Sequence, residues 1–145
     1  IDQPYIGERF SGGLGKAQYE GPLGIRNLGT SDTTALPEAT IFTTFPEIGT
    51  AAEAEAFNRV ASKARLTRYG CDCYAYALLA AGQIDLVIEA GLQAYDIQAP
   101  IAVIEAAGGI VTDWEGNPTH DGGRALAAAT PELHTAALEL LGQTS

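Results

Sequence analysis

The sequence predicts an α/β fold, a three-layer α/β/α domain over residues 38–145 preceded by β-hairpins over 1–37. Three observations carry that expectation. From Thr40 onward, short apolar runs of strand length alternate with amphipathic stretches of helix length, the pattern of a layered domain with a largely parallel sheet. Glycines, prolines and capping residues fall between these runs, where turns and helix ends need them. The first 28 residues lack that alternation and read as hairpins around glycine turns.

Taken in order, Ile1 to Tyr5 and Glu8 to Phe10 flank Gly7, and the Gly12-Gly13-Leu14-Gly15 turn leads to Lys16-Ala17-Gln18-Tyr19. This stretch has little apolar content of its own, and a lone hairpin pair is marginal in water. Gly29, Ser31, Asp32 and Pro37 mark a linker over 29–37. A strand follows over 40–45, then an amphipathic helix over 51–64 with Thr50 as its N-cap. Residues 66–69 form a short strand. Gly70 turns the chain into a helix over 71–81, which Gly82 closes.

Residues 84–89 read as a buried strand. Asp96 opens a helix whose Ile97, Ile101 and Ile104 fall on one face, with Pro100 in its first turn. Gly108-Gly109 ends it, and Ile110-Val111-Thr112 is the next strand. A loop framed by Asn117-Pro118 and Gly122-Gly123 leads to a strand over 124–128. Thr130 caps the last helix, with Pro131 at its first position and Glu132 in its first turn, running to Leu141.

The chain has 145 residues, 46% of them hydrophobic and 18% charged. That supports a real core and excludes a disordered tail or a coiled coil. Eight Lys+Arg against 18 Asp+Glu leave a formal net charge of -10. Such a surface repels a phosphate backbone or an anionic membrane and favours divalent metals and cationic ligands. No apolar run is long enough to span a bilayer, and no basic-then-apolar leader is present. Cys71 and Cys73 are too close in sequence for an internal disulfide and too few for a zinc site, so a reduced, cytosolic setting fits. The chain opens on Ile1 in strand-like sequence and contains no methionine. The expectation is a piece of a longer protein.

In α/β sheets, ligands collect where strands end and helices begin. Three such places hold polar residues. In Arg68-Tyr69-Gly70-Cys71-Asp72, Gly70 permits a close backbone approach, and the N–H groups after it point out of the helix start. Asp72 serves equally well as a favourable charge on the helix dipole. Glu89 ends an apolar strand, where a carboxylate must be paired, solvated or functional; an ion pair with Arg68 or Arg124 is the plain alternative. Asp96, after Tyr95, is an ordinary N-cap by spacing alone and a cation ligand otherwise. Asp2, Asp32, Asp113 and Asp121 read as turn or cap residues, and His120 and His134 as surface histidines. Dinucleotide, P-loop and G-x-S-x-G signatures are absent.

The run from Asp85 through Glu89, Ala90-Gly91, Tyr95-Asp96 and Ile97, followed by Glu105-Ala106-Ala107-Gly108-Gly109-Ile110-Val111-Thr112-Asp113, resembles the C-terminal signature of the inositol monophosphatase family. Within it, Arg68-Tyr69-Gly70, Asp72-Cys73-Tyr74 and Tyr76 to Ala80, with Ile1-Asp2-Gln3-Pro4 and Gly7-Glu8-Arg9, look most like the histidinol-phosphatase branch. The resemblance covers essentially the whole chain. It implies Mg²⁺-assisted phosphomonoester hydrolysis, with Asp96 as a metal ligand, Glu89 holding the alcohol part of the substrate, and Gly70, Cys71 and Asp72 lining the same pocket. Histidinol phosphate carries a cationic amine and an ionisable imidazole, which suit Asp72 and Glu89 better than neutral inositol does.

The family's remaining metal ligands, a Glu-Glu pair and a D-P-I/L-D-G-T motif, are not in this sequence. One carboxylate cannot hold Mg²⁺, which needs several oxygen ligands. The expectation is therefore a C-terminal half, near-inactive and prone to associate when alone, whose partners are the other half, a second copy in a homodimer, and a small phosphate monoester. An inositol-phosphate preference is the alternative within the enzyme class. A non-catalytic α/β ligand-binding module is the alternative outside it.

Overall fold

Along the central strands, alternate side chains go to opposite faces and divide the core in two. The computed structural model, which describes residues 1–143, contains nine strands and four α-helices among them. They are β1 (Asp2–Gln3), β2 (Glu8–Gly13), β3 (Lys16–Gly21), β4 (Gly24–Asn27), β5 (Thr40–Thr43), α1 (Ala51–Ala61), β6 (Leu66–Tyr69), α2 (Cys73–Ala80), β7 (Leu86–Gln93), α3 (Ala94–Ala106), β8 (Ile110–Thr112), β9 (Gly122–Ala128) and α4 (Pro131–Leu141). Strands β1 to β4 form one antiparallel sheet in chain order, and the other five form a second sheet in the order β6-β5-β7-β9-β8.

Leu86 and Ile88 of β7 with Leu126 and Ala128 of β9 meet Phe57 and Val60 of α1 and Leu133, Ala137 and Leu141 of α4. Val87, Ala125 and Ala127 face the other way, onto α2 and α3. The antiparallel sheet lies outside that helix layer, with Phe10, Ala17 and Tyr19 in the same cluster as Tyr76, Ile97 and Ile101. The hairpins thus add a fourth layer, and their apolar residues belong to a core shared with α2 and α3. Gly12 marks the closest approach: a Cβ there would stand 2.4 Å from the Val103 Cα of α3. Strand β4 is exposed along its whole length, with Ile25 at 66% exposure, so an edge remains open.

Several expectations need correction. The five-stranded sheet is mixed, not largely parallel: β5 pairs in parallel with β6 and β7, whereas β9 runs antiparallel to both β7 and β8. Parallel neighbours need a crossover connection, and the loop between β8 and β9 contains no helix. That hairpin partner inserts beside β7. Helix α2 begins at Cys73 rather than 71, because Gly70, Cys71 and Asp72 have φ values of +99°, +74° and +47°. Strand β7 continues past Glu89 through a bulge between Glu89 and Leu92. Helix α3 starts at Ala94, which places Asp96 two residues inside it and Pro100 in its second turn. Pro100 is buried there and cannot donate to the Asp96 carbonyl.

Candidate acidic cleft at the strand ends

The carboxyl ends of β5 and β7 and the first turns of α2 and α3 enclose a cleft of ≈ 220 Å³. Thr43, Thr44 and Phe45 form one wall, Glu89 to Leu92 another, and Asp72 and Asp96 project from the two helix starts. The bulge at Ala90-Gly91, where Gly91 takes φ +80°, bends β7 at this point and opens the wall between Glu89 and Asp96. Glu47 completes the polar lining, and among the described residues no lysine, arginine or histidine lines the cleft. Three of the sequence-predicted residues, Asp72, Glu89 and Asp96, come together here. Gly70 and Cys71 do not line the cleft; they form the turn that leads into Asp72.

Glu89 is 4% exposed, and its partners are hydroxyl and amide donors. Neither Arg68 nor Arg124 is among them: Arg68 donates to the Thr67 carbonyl and Arg124 pairs with Glu115 at 2.6 Å. The Thr44 N–H donates to Glu89 Oε1 at 3.1 Å, and the Thr44 hydroxyl donates to the same oxygen. The Tyr76 hydroxyl donates to Oε2 at 2.9 Å. Burial, and then the Glu89 charge, push the Tyr76 phenol well above its ordinary value. It therefore remains a proton donor to Glu89 throughout the usable pH range. Three neutral donors hold the buried carboxylate in one orientation without cancelling its charge.

Asp96 Oδ2 accepts the Gln93 N–H at 2.7 Å, which ties the carboxylate across the first turn of α3. Its expected capping role is thus real but shifted: it reaches back to the residue before the helix, in the manner of a capping box. Asp72 precedes α2 and makes no side-chain cap. Burial, then Asp72 and, more weakly, Asp96, push the Cys73 thiol up. Both cysteines are free and exposed.

Sequence reasoning missed Thr44 and Tyr76. The available signal was Tyr76 itself, a phenol inside a buried apolar helix that needs an acceptor. The turn residues behave as expected at Asp113, whose Oδ1 accepts from the Glu115 and Asn117 amides at 2.8 Å. His134 departs from expectation: it is half-buried and its Nε2 lies 2.8 Å from the Thr112 hydroxyl.

Mg²⁺ is the ion that the sequence resemblance implies. Among the described residues, no group of three or more acidic, histidine or cysteine side chains could hold a metal ion. Both Glu89 oxygens are engaged by hydrogen bonds. Asp96 offers one oxygen beyond its Gln93 contact. The donors of this chain do not make a Mg²⁺ site by themselves.

The fold and the cleft define the class, an α/β protein that gathers uncompensated carboxylates where strands end and helices begin. The chain belongs to the inositol monophosphatase family, whose profile matches residues 1–145. It is 39% identical over 150 residues to the bifunctional phosphatase IMPL2 of Arabidopsis thaliana, covering 97% of this chain and 42% of that protein. It is 34% identical over 87 residues to the inositol-1-monophosphatase ImpA of Mycolicibacterium smegmatis, covering 60% of this chain and 31% of that one. An inositol monophosphatase structure from Zymomonas mobilis superposes with a TM-score of 0.91 at 34% identity, covering 99% of this chain and 56% of that one. These relatives are phosphatases. The chain spans 42% of the Arabidopsis protein and 56% of the Zymomonas chain. No helix among the described residues is long and apolar enough to cross a membrane.

Proposed function

We propose that this chain forms the alcohol-binding side of a Mg²⁺-dependent phosphomonoesterase, with histidinol phosphate as the substrate. The observation that carries the reading is the cleft lined by Glu47, Asp72, Glu89 and Asp96, with no cationic side chain among the described residues that line it. Such a lining attracts a cationic group and disfavours an uncompensated anion. Oε2 of Glu89, which accepts one hydrogen bond from Tyr76, keeps a second lone pair for an ammonium or imidazolium. Asp72 adds a second negative charge to the lining, at the end of the turn formed by Gly70 and Cys71. Asp96 would be one ligand to Mg²⁺, with the remaining ligands supplied from outside the described residues.

Members of the family generally depend on Mg²⁺. When bound, the ion would supply charge neutralisation for the phosphoryl group and a more acidic water. The part assigned to this chain is recognition and orientation of the alcohol. Inositol 1-phosphate is the second substrate reading, favoured by the names of the mycobacterial and Zymomonas relatives. A non-catalytic ligand-binding module is the reading from another class.

The test is phosphate release by the whole protein that contains this chain, with and without Mg²⁺. Asp96→Asn is expected to lower Mg²⁺-dependent turnover by orders of magnitude while the folded structure persists. Unchanged turnover in Asp96→Asn would remove Asp96 from the metal site, and no release from any phosphomonoester would favour the binding module.

A further inference from the structure

Behind the cleft, a second polar group joins the antiparallel sheet to α2. Glu8 on β2 accepts the Tyr19 hydroxyl at 2.9 Å through Oε1 and the Tyr74 hydroxyl at 2.5 Å through Oε2. Phe10 meets both rings edge-on, at centroid distances of 5.3 and 5.9 Å. Burial, and then the Glu8 carboxylate, push the Tyr74 phenol up to about 12, so it stays a donor. None of these residues lines the cleft.

Tyr74 is also the second residue of α2, and its N–H donates to the Cys71 carbonyl at 2.9 Å. The next amide, of Ala75, donates to the Asp72 carbonyl at 3.0 Å. These two bonds close the turn in which Gly70, Cys71 and Asp72 all have positive φ. For Cys71 and Asp72 that is a conformation L side chains keep only where their surroundings impose it. On its other side the turn is tied to β5, since the Gly70 N–H donates to the Thr43 and Thr44 carbonyls at 3.0 and 3.1 Å. Glu8 thus fixes the side chain of the very residue whose amide holds the turn.

We propose that Tyr74 is a positioning residue: clamped by Glu8, it holds residues 70–72 left-handed and so sets where the Asp72 carboxylate stands in the cleft. Its kinetic consequence rests on the reading of the cleft as the alcohol-binding site, whereas the clamp itself does not.

Tyr74→Phe tests it, because the ring and its contact with Phe10 remain and only the hydroxyl is lost. In the whole protein, exchange of the Tyr74 and Ala75 amides is expected to rise by about tenfold, while amides of β7 and α4 keep their rates. Equal rates at Tyr74 and Ala75 overturn the clamp. For the phosphate ester of a cationic alcohol, Tyr74→Phe is expected to raise KM several-fold at unchanged kcat. Asp72→Asn is expected to raise KM at least as much, and the double variant should raise it no further than Asp72→Asn alone.

Additive effects would overturn the route through Asp72. Faster exchange with no change of KM in either variant would support the clamp and sink the substrate reading. Glu8→Gln, which keeps an accepting oxygen for Tyr74, is expected to retain most of the slow exchange. Glu8→Ala should match Tyr74→Phe, so the ordering survives even if one variant folds poorly.

Discussion

Glu89 shows how one buried carboxylate is kept useful. It is embedded at the end of an apolar strand, where an unpaired charge would be costly, and Thr44 and Tyr76 satisfy both oxygens. An arginine partner would have satisfied it too, but would have cancelled the charge on which the proposed cationic ligand depends. Tyr76→Phe therefore leaves Oε2 of a 4%-exposed carboxylate without its donor. The expected cost is about 1–3 kcal/mol, read as a lower urea midpoint at unchanged slope. A midpoint equal to that of the unaltered protein would mean that the phenol contributes nothing to holding Glu89. The residue types at Asp72, Glu89 and Asp96 were legible in the sequence as a set. The donors to Glu89 were not, because Thr44 is 45 residues away in the chain and nothing local links it to β7.

At the scale of elements, packing distances and burial decide what the sequence left open. Strands β6 and β8 and helix α4 fall where turn and cap signals placed them, since Thr130, Pro131 and Gly108 act locally. The hairpin β8–β9 was not legible as a neighbour of β7, because strand pairing depends on contacts made across the whole domain. Nor was the support that β2 gives α3. Gly12→Ala would drive a methyl into the Val103 backbone at 2.4 Å, and it is expected to cost about 1–3 kcal/mol or more. A thermal melt within error of the original would show that β2 can move aside freely.

Helix α4 carries one pH-sensitive group, His134. Burial lowers His134 below 6.5, so the folded state favours the neutral ring beside the Thr112 hydroxyl. Its contribution is whole above pH 6.5 and is lost as the pH falls through the folded value, because the unfolded chain binds that proton more readily. His134→Gln is expected to flatten the fall in melting temperature below pH 6.5. Parallel curves for the two proteins would contradict this.

For the whole molecule, the mixed sheet and the α2/α3 layer form one acidic cleft, and the two outer layers support them. The α1/α4 layer backs the mixed sheet, α2 and α3 present their first turns to the cleft, and the antiparallel sheet braces α2 through Glu8. Four of the 18 acidic residues, Glu47, Asp72, Glu89 and Asp96, line that cleft. The family was legible from the strand–Glu–Ala–Gly and Tyr-Asp runs, and it is shown by the match along the chain. The proposed substrate preference rests on the carboxylates of the cleft, and a single measurement addresses it. In the whole protein with Mg²⁺, kcat/KM for histidinol phosphate should exceed that for inositol 1-phosphate, and Asp72→Asn should shrink that ratio towards unity. A ratio favouring inositol 1-phosphate, or one that Asp72→Asn leaves unchanged, would contradict the assignment of this cleft to a cationic alcohol.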